Sequence, residues 1–274
     1  MLAQLIGGVI AVGSLIFIGV ATGVVRTVLR EWGFRLERTD KGLRRRRGLL
    51  TRTDLVMPVH RVQALRLSTG LVRRWFGWHS LKLVSLASDS GSANHEAAPF
   101  ARLKEISPVV AETGFELPGA EIEWHRSSRR YRIDGFLIGF FLMSAIAAAL
   151  FVAGNAYLAL LPIIAGGGWF ALHEYMRWRW DRHALGRRQL YTRHGWFAPS
   201  MAIASREKLQ SVEIVRNPLA RVRGYADIRF GLAGGHLRMR GIALADAMRI
   251  RDAVLSSMGE QDFSEVVEAG SQSA

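Results

Sequence analysis

Apolar positions are not spread evenly along this chain. From Leu5 to Val25 no residue is charged, and the first charged residue of all is Arg26. A helix rises 1.5 Å per residue, so roughly 20 residues cross a ~30 Å hydrocarbon core. The pattern therefore predicts a spanning helix over residues 1–25. A secretory signal would place Lys or Arg ahead of its apolar run; here they follow it, which points to an anchor. A second uncharged block runs from Gly135 to Leu172, too long for one span, and Gly154-Asn155 is a turn signal at its middle. It predicts a hairpin over 133–172 with helices Phe136–Ala153 and Ala156–Leu172. Each helix is near the minimum spanning length, so a re-entrant hairpin is the alternative. Pro162 and Gly166-Gly167-Gly168 loosen the second helix, a break that membrane helices tolerate when neighbours satisfy the backbone.

The polar segments, 26–132 and 173–258, resemble each other at an offset of 147 positions. Gly48 meets Gly195, Gln63 meets Gln210, Arg74 meets Arg221 and Gly77 meets Gly224, with no gap from Leu43/Leu190 to Leu83/Phe230. A repeat of this length means two copies of one domain. Within a copy, Leu49–Met57, Val62–Leu67 and Leu81–Leu86 are short runs of strand character, as is Ala226–Leu232 in the second. Each copy closes on a helical pattern: Phe100, Leu103, Ile106 and Val110 in the first, and Ala243, Ala247, Ile250, Val254 and Leu255 in the second. Short antiparallel strands followed by one helix describe a small barrel or sandwich. The last segment, 259–274, is acidic and rich in small residues and is expected to be disordered.

Charge then sets orientation. The formal net charge is +14. Basic residues cluster after the first apolar block and on both outer flanks of the second, while the N-terminus and the Gly154-Asn155 turn carry none. The positive-inside rule puts both polar domains in the cytoplasm and the N-terminus outside a multi-pass cell membrane protein. The chain has no cysteine, which excludes disulfides and thiolate metal sites. Its eight histidines show no metal-ligand spacing, and no phosphate-binding loop, dinucleotide fingerprint or nucleophile elbow occurs. Neither a catalytic residue, a metal nor a cofactor is expected. The uncharged spans lack the ionisable groups of a transport pathway, which makes a transporter component the most remote alternative. Nucleic acid is not expected either: Trp32, Trp178 and Trp180 flank the spans, and Trp75 and Trp78 belong to the hydrophobic pattern as packing residues.

The most concentrated charge is Arg44-Arg45-Arg46-Arg47. The second copy has Tyr191-Thr192-Arg193-His194 there, so the fold does not demand arginine. In a strand, Arg44 and Arg46 face one way and Arg45 and Arg47 the other. Neither face can then be core, and the run is expected at a strand end or hairpin tip. Close to an anionic leaflet each such residue contributes about 1 kcal/mol of attraction. The candidate lipid-binding residues are Arg44, Arg45, Arg46, Arg47, Arg52, Arg73 and Arg74, with Arg193 and Arg221, beside Arg187 and Arg188, as the weaker second-copy set. The alternative is that the run serves only topology and solubility.

Gly48, Pro58, Arg61-Val62-Gln63-Ala64-Leu65, Arg74 and Phe76-Gly77-Trp78 resemble the pattern of bacterial pleckstrin-homology-like membrane proteins, long filed as a domain of unknown function. The second copy keeps Lys208-Leu209-Gln210-Ser211-Val212, Arg221 and Gly224-Tyr225, but has Ala204-Ser205 in place of Met57-Pro58. Members often have more spans and a further domain, whereas this chain opens with a single helix. The resemblance implies an α+β membrane protein with three transmembrane helices and two cytoplasmic PH-like β-barrels, each closed by a C-terminal helix. The function expected is binding of an anionic phospholipid surface, or of a membrane partner, at the cytoplasmic face in a cell-envelope role. A scaffold subunit that assembles with itself or another membrane protein through its helices is the alternative.

Overall fold

The computed structural model of the chain describes residues 2–85 and 94–259. Of the tail expected to be disordered, 259–274, Gly259 ends the last helix, and the rest lies outside the described residues. Two compact units follow the chain, Met1–Arg61 and Val62 onward.

The first unit holds α1 (Leu2–Glu31) and an antiparallel sheet of β1 (Arg35–Thr39), β2 (Gly42–Arg47) and β3 (Thr53–Met57) in that order. The helix outruns the expected span by more than a turn. Its apolar side chains are exposed, Phe17 and Leu15 by more than two thirds. The segment expected to open a strand at Leu49 is instead a loop up to Arg52, because Gly48 takes a positive φ and turns the chain.

The second unit begins with β4 (Val62–Ser68), α2 (Leu71–Trp75), β5 (His79–Ser85), β6 (Asn94–Ala101) and α3 (Leu103–Glu112). The short β7 (His125–Arg126) leads into α4 (Arg129–Val152). After the turn at Gly154, α5 (Ala156–Leu161) continues through a π-helical stretch, Pro162–Gly166, into α6 (Gly167–Trp180). Pro162 has no N–H to give, and the helix widens where that bond is missing. Gly139 makes room for Phe170 and Gly166 for Met143, which lets α4 and α6 lie close. Next come β8 (Arg182–Leu185), β9 (Gln189–His194), β10 (Ser200–Ser205), β11 (Leu209–Val215), α7 (Pro218–Arg223), β12 (Tyr225–Leu232), β13 (Gly235–Ala243) and α8 (Leu244–Gly259).

The repeat holds element by element. β2 and β9, β4 and β11, and α2 and α7 begin 147 positions apart, at Gly42/Gln189, Val62/Leu209 and Leu71/Pro218. The shared glycines have a physical reason: Gly48 and Gly195, and Gly77 and Gly224, all adopt positive φ, which only glycine does cheaply. Phe100, expected on the first closing helix, instead lies in β6 ahead of α3.

The expected closed barrels are not formed. Among the described residues there are three open sheets: β1-β2-β3, β6-β5-β4-β10-β9-β8-β7 and β11-β12-β13. Closure needs the edge strands of one domain to find each other. Here the edge of β4 is taken by β10 of the second repeat, with Leu65 opposite Ile203 and Leu67 opposite Met201. Ile228, Phe230, Met239, Ile242, Ala247 and Val254 form the centre of a core that also takes Ala64 and Val84 from the first repeat.

His183 in β8 is buried beside His125 of β7, with ring centroids 6.0 Å apart. Burial first, and the neighbouring His125 second, hold its pKa down at about 4. Between that value and the ordinary 6.5 the unfolded chain takes up a proton that the folded one refuses, so stability falls as pH falls through this window. The purified protein should melt at lower temperature at pH 4.5 than at pH 7. His183→Gln should remove much of that difference, worth on the order of 3 kcal/mol. A His183→Gln protein with the same pH slope would show that other groups set it.

Candidate functional site

The four arginines of β2 are engaged within the first unit. Leu36 and Leu55 lie opposite Arg45 on the neighbouring strands, and Arg45 is buried on that face. The expectation that neither face is covered is therefore corrected: the face of Leu43, Arg45, Leu55 and Met57 is apolar apart from one long arginine stem. On the other face Arg44 grips Asp54 through Nε at 2.9 Å and Nη2 at 2.5 Å, and Arg46 reaches it at 3.2 Å. The Arg44 hydrogen bond is the main reason that the Asp54 carboxyl sits at about 2. Arg47 donates to Glu31 at 2.7 and 3.0 Å. Beside that pair, the N–H of Gly48 meets the carbonyl of Trp32 at 2.9 Å and that of Leu49 meets Leu29 at 3.0 Å. The loop after β2 thus satisfies carbonyls that the end of α1 leaves open. Arg52 is exposed on this loop.

In the second unit the candidates separate. Arg193 lies over the ring of Trp124 at 4.8 Å, and burial, then the facing Arg182, lowers its pKa. Arg221 is exposed on α7. Arg73 and Arg74 come together with something the sequence reading missed. Trp75 and Trp78, expected as packing residues, are 77% and 39% exposed, and Leu71, Val72, Phe76 and Phe100 are exposed with them. Phe76 stacks on Trp78 at 5.0 Å, Trp78 meets Phe100 edge-on at 6.0 Å, and Arg73 covers Phe100 at 4.4 Å. Arg74 lies over Trp180, the last residue of α6, at 4.9 Å. The patch is contiguous, apolar and rimmed by cations, the character of an interaction surface. Its signal was in the sequence as Leu-Val-Arg-Arg-Trp-Phe, too many large apolar residues for a helix of five.

The end of the same element in the second repeat is tied to α4, although Leu219 and Val222 on it are exposed. Arg223 at the end of α7 pairs with Asp134 of α4 at 3.0 Å, and Arg130 donates to the Arg223 carbonyl at 2.9 Å. Tyr225 meets Tyr131 edge-on at 5.4 Å. Burial first, and Asp134 second, push the Tyr225 hydroxyl up to about 12. Gly241 leaves the space that the Tyr131 ring fills. On the same side, Arg177 of α6 donates to Glu174 at 2.6 Å and to the Tyr131 hydroxyl at 2.9 Å. Trp178 donates to the carbonyl of Ser127 at 3.0 Å. Asp134 and Glu174 are buried. The uncharged block ends just short of both, but α4 and α6 run past it, so the expected helices without ionisable groups are corrected. Their partners, Arg223 and Arg177, make these acids structural ties.

Removing one member of such a pair leaves a buried charge alone. Asp134→Ala should cost about 2 kcal/mol, discounted because Arg223 is a third exposed. Arg223→Ala should cost less, and the double variant less than the sum. Thermal melting in detergent of the three variants measures this coupling; additive losses would dissolve the tie.

Three helices are long and apolar enough to cross a membrane: Ile6–Glu31, Arg129–Val152 and Ala156–Trp180. Among the described residues no cluster of His, Asp or Glu could hold a metal ion. No curated protein and no solved structure matches the chain. The family model of the bacterial PH domain matches it twice, over residues 1–112 and 133–258. The first match takes in α1 and the strands that follow it, and the second takes in the helical hairpin from α4 to α6 and the strands that follow it. The chain belongs to the bacterial PH domain family.

Proposed function

We propose that this is a membrane-anchored protein with no catalytic step of its own, which binds the anionic phospholipid surface on the cytoplasmic side. The observation that carries this reading is the α2 patch. Its rim residue Arg74 lies on Trp180, where α6 ends. A helix that leaves a bilayer there would set Leu71, Val72 and Trp75 at headgroup level, where tryptophan and arginine are favoured. The engagement of Arg44 and Arg46 by Asp54 moves the expected lipid contact away from the arginine run and towards Arg73 and Arg74. The run then acts as an internal tie of the first unit.

One observation favours a second reading, a scaffold. Phe76 and Trp78 stand where Arg223 and Tyr225 stand in the other repeat, and there α4 covers them. A membrane helix of a partner, or of a second copy, could cover α2 in the same way.

The chain has no cysteine, so Val72→Cys carries a single environment-sensitive fluorophore. In nanodiscs of phosphatidylcholine with one third phosphatidylglycerol, its emission should shift to the blue relative to pure phosphatidylcholine. Arg73→Gln with Arg74→Gln should halve the shift or more, as should raising salt from 0.05 to 0.5 M. Emission indifferent to lipid charge would overturn the lipid reading. Emission that shifts only with protein density in the disc would favour the scaffold.

A further inference from the structure

The loop after the second strand of each repeat carries an apolar pair at equivalent positions, Leu49-Leu50 and Trp196-Phe197. Leu50 is 80% exposed and Phe197 54%. In each unit this loop lies beside the last turns of an apolar helix, and a cleft of about 500 Å³ opens between them. In the first, Arg26 and Arg30 of α1 face Arg47, Leu50 and Thr53. In the second, His173 and Arg177 of α6 face His194, Phe197 and Ser200. Arg26 and His173, Arg30 and Arg177, Arg47 and His194, Leu50 and Phe197, and Thr53 and Ser200 are all 147 positions apart. One cleft is built twice, from the same five positions, each time with cationic or imidazole groups inside and an apolar lip.

The acids nearby are already engaged. Glu31 is buried and holds Arg30 and Arg47, Glu174 is buried and holds Arg177 with His173 beside it, and Asp181, which lines the second cleft near His194, accepts from the N–H of Gly195. Among the described residues Arg26 has no acidic partner, and it is exposed. The second cleft adds Arg66 of β4 and Arg240 of β13, both exposed and likewise without an acidic partner among the described residues. Trp169, one turn before His173, stacks on His173, meets Trp196 at a tilt and is still 55% exposed. In α1 Thr22 stands at the corresponding position, and Val25, which also lines the first cleft, is exposed too. An anion alone would need the cations but not this lip. An amphiphile with an anionic head fits both.

We propose that each repeat holds the phosphate of one anionic glycerophospholipid in this cleft, with the acyl chains along the exposed helix flank and the apolar loop pair. The inference rests on the reading that the helices span a bilayer, and it adds discrete, countable sites to a diffuse surface contact. Arg26 would serve the first phosphate, and Arg66 and Arg240 the second.

The test is native mass spectrometry of the delipidated full chain in detergent, with phosphatidylglycerol, phosphatidylcholine of the same acyl chains, or glycerol 3-phosphate added. Two phosphatidylglycerol molecules should be retained per chain, with at least tenfold less phosphatidylcholine. Arg26→Gln should reduce the count to one, as should Arg66→Gln with Arg240→Gln, and the triple variant should retain none. Arg26→Lys should restore the first site. These arginines are exposed, so unchanged melting curves confirm that folding is intact. Equal retention of both lipids, or a count indifferent to the variants, would overturn the proposal. So would occupancy by glycerol 3-phosphate as high as by the lipid, since the clefts would then take free phosphate. None of these residues belongs to the α2 patch, so a normal lipid-charge response of the Val72 fluorophore alongside failed retention would sink the clefts alone.

Discussion

An apolar helix that ends must hand its last carbonyls, and the helix that follows its first amides, to something that can hydrogen-bond them. In water the solvent does this; next to lipid the protein has to. At the end of α1 the backbone of Gly48 and Leu49 meets the helix carbonyls and Arg47 meets Glu31. At the start of α4 the N–H of Ser128 finds the carbonyl of Gly241 at 2.7 Å, and its hydroxyl accepts from Arg130. At the end of α6 the carboxylate of Asp181 accepts from the N–H of Gly195 at 2.9 Å. Apart from the Ser128 cap, which is internal to α4, each of these ties ends in a strand or in a loop between strands. The sheets are what the helices are stitched to.

That constraint explains where charge is spent. Of the arginines that crowd the helix ends, Arg47, Arg177 and Arg223 are held by Glu31, Glu174 and Asp134, each nearly buried. Such pairs contribute little net stability but punish any rearrangement that separates them. The Asp134–Arg223 pair ties α4 to α7, and Arg177 ties α6 to α4 through the Tyr131 hydroxyl. What is left over is the surface proposed to bind lipid: Arg73 and Arg74 around the α2 aromatics, and Arg26, Arg66 and Arg240 at the clefts. In the proposed setting, anchoring raises the effective concentration of these weak contacts at the lipid surface, so none needs high affinity alone.

Much of the architecture was legible in the chain. The uncharged blocks marked the helices, and Gly154-Asn155 marked their turn. The offset of 147 predicted the pairing of β2 with β9 and of α2 with α7 as equivalents, because the glycines that set it are held by backbone conformation. Strand partnership was not legible. Nothing local in Val62–Ser68 says that its edge meets β10 and not a strand of its own repeat. The site was half visible. The arginine run drew attention by its charge, yet Asp54 and Glu31, distant in sequence, decide that it is paired. Trp75 read as a packing residue because periodicity reports apolar character and cannot report that no element covers it. Asp134 and Glu174 fell outside the uncharged block, although helices do not stop where charge begins.

The central claim is that the helices cross a bilayer and leave both sheet systems on its cytoplasmic side. A chain without native cysteine allows a direct measurement. Single cysteines at Gln4, at Asn155 in the hairpin turn and at Glu207 before β11 can each be labelled in intact cells with a membrane-impermeant maleimide. The account predicts that Gln4→Cys and Asn155→Cys label from outside, and that Glu207→Cys labels only after the membrane is opened. Labelling of Glu207→Cys in sealed cells, or protection of Asn155→Cys there, would contradict it.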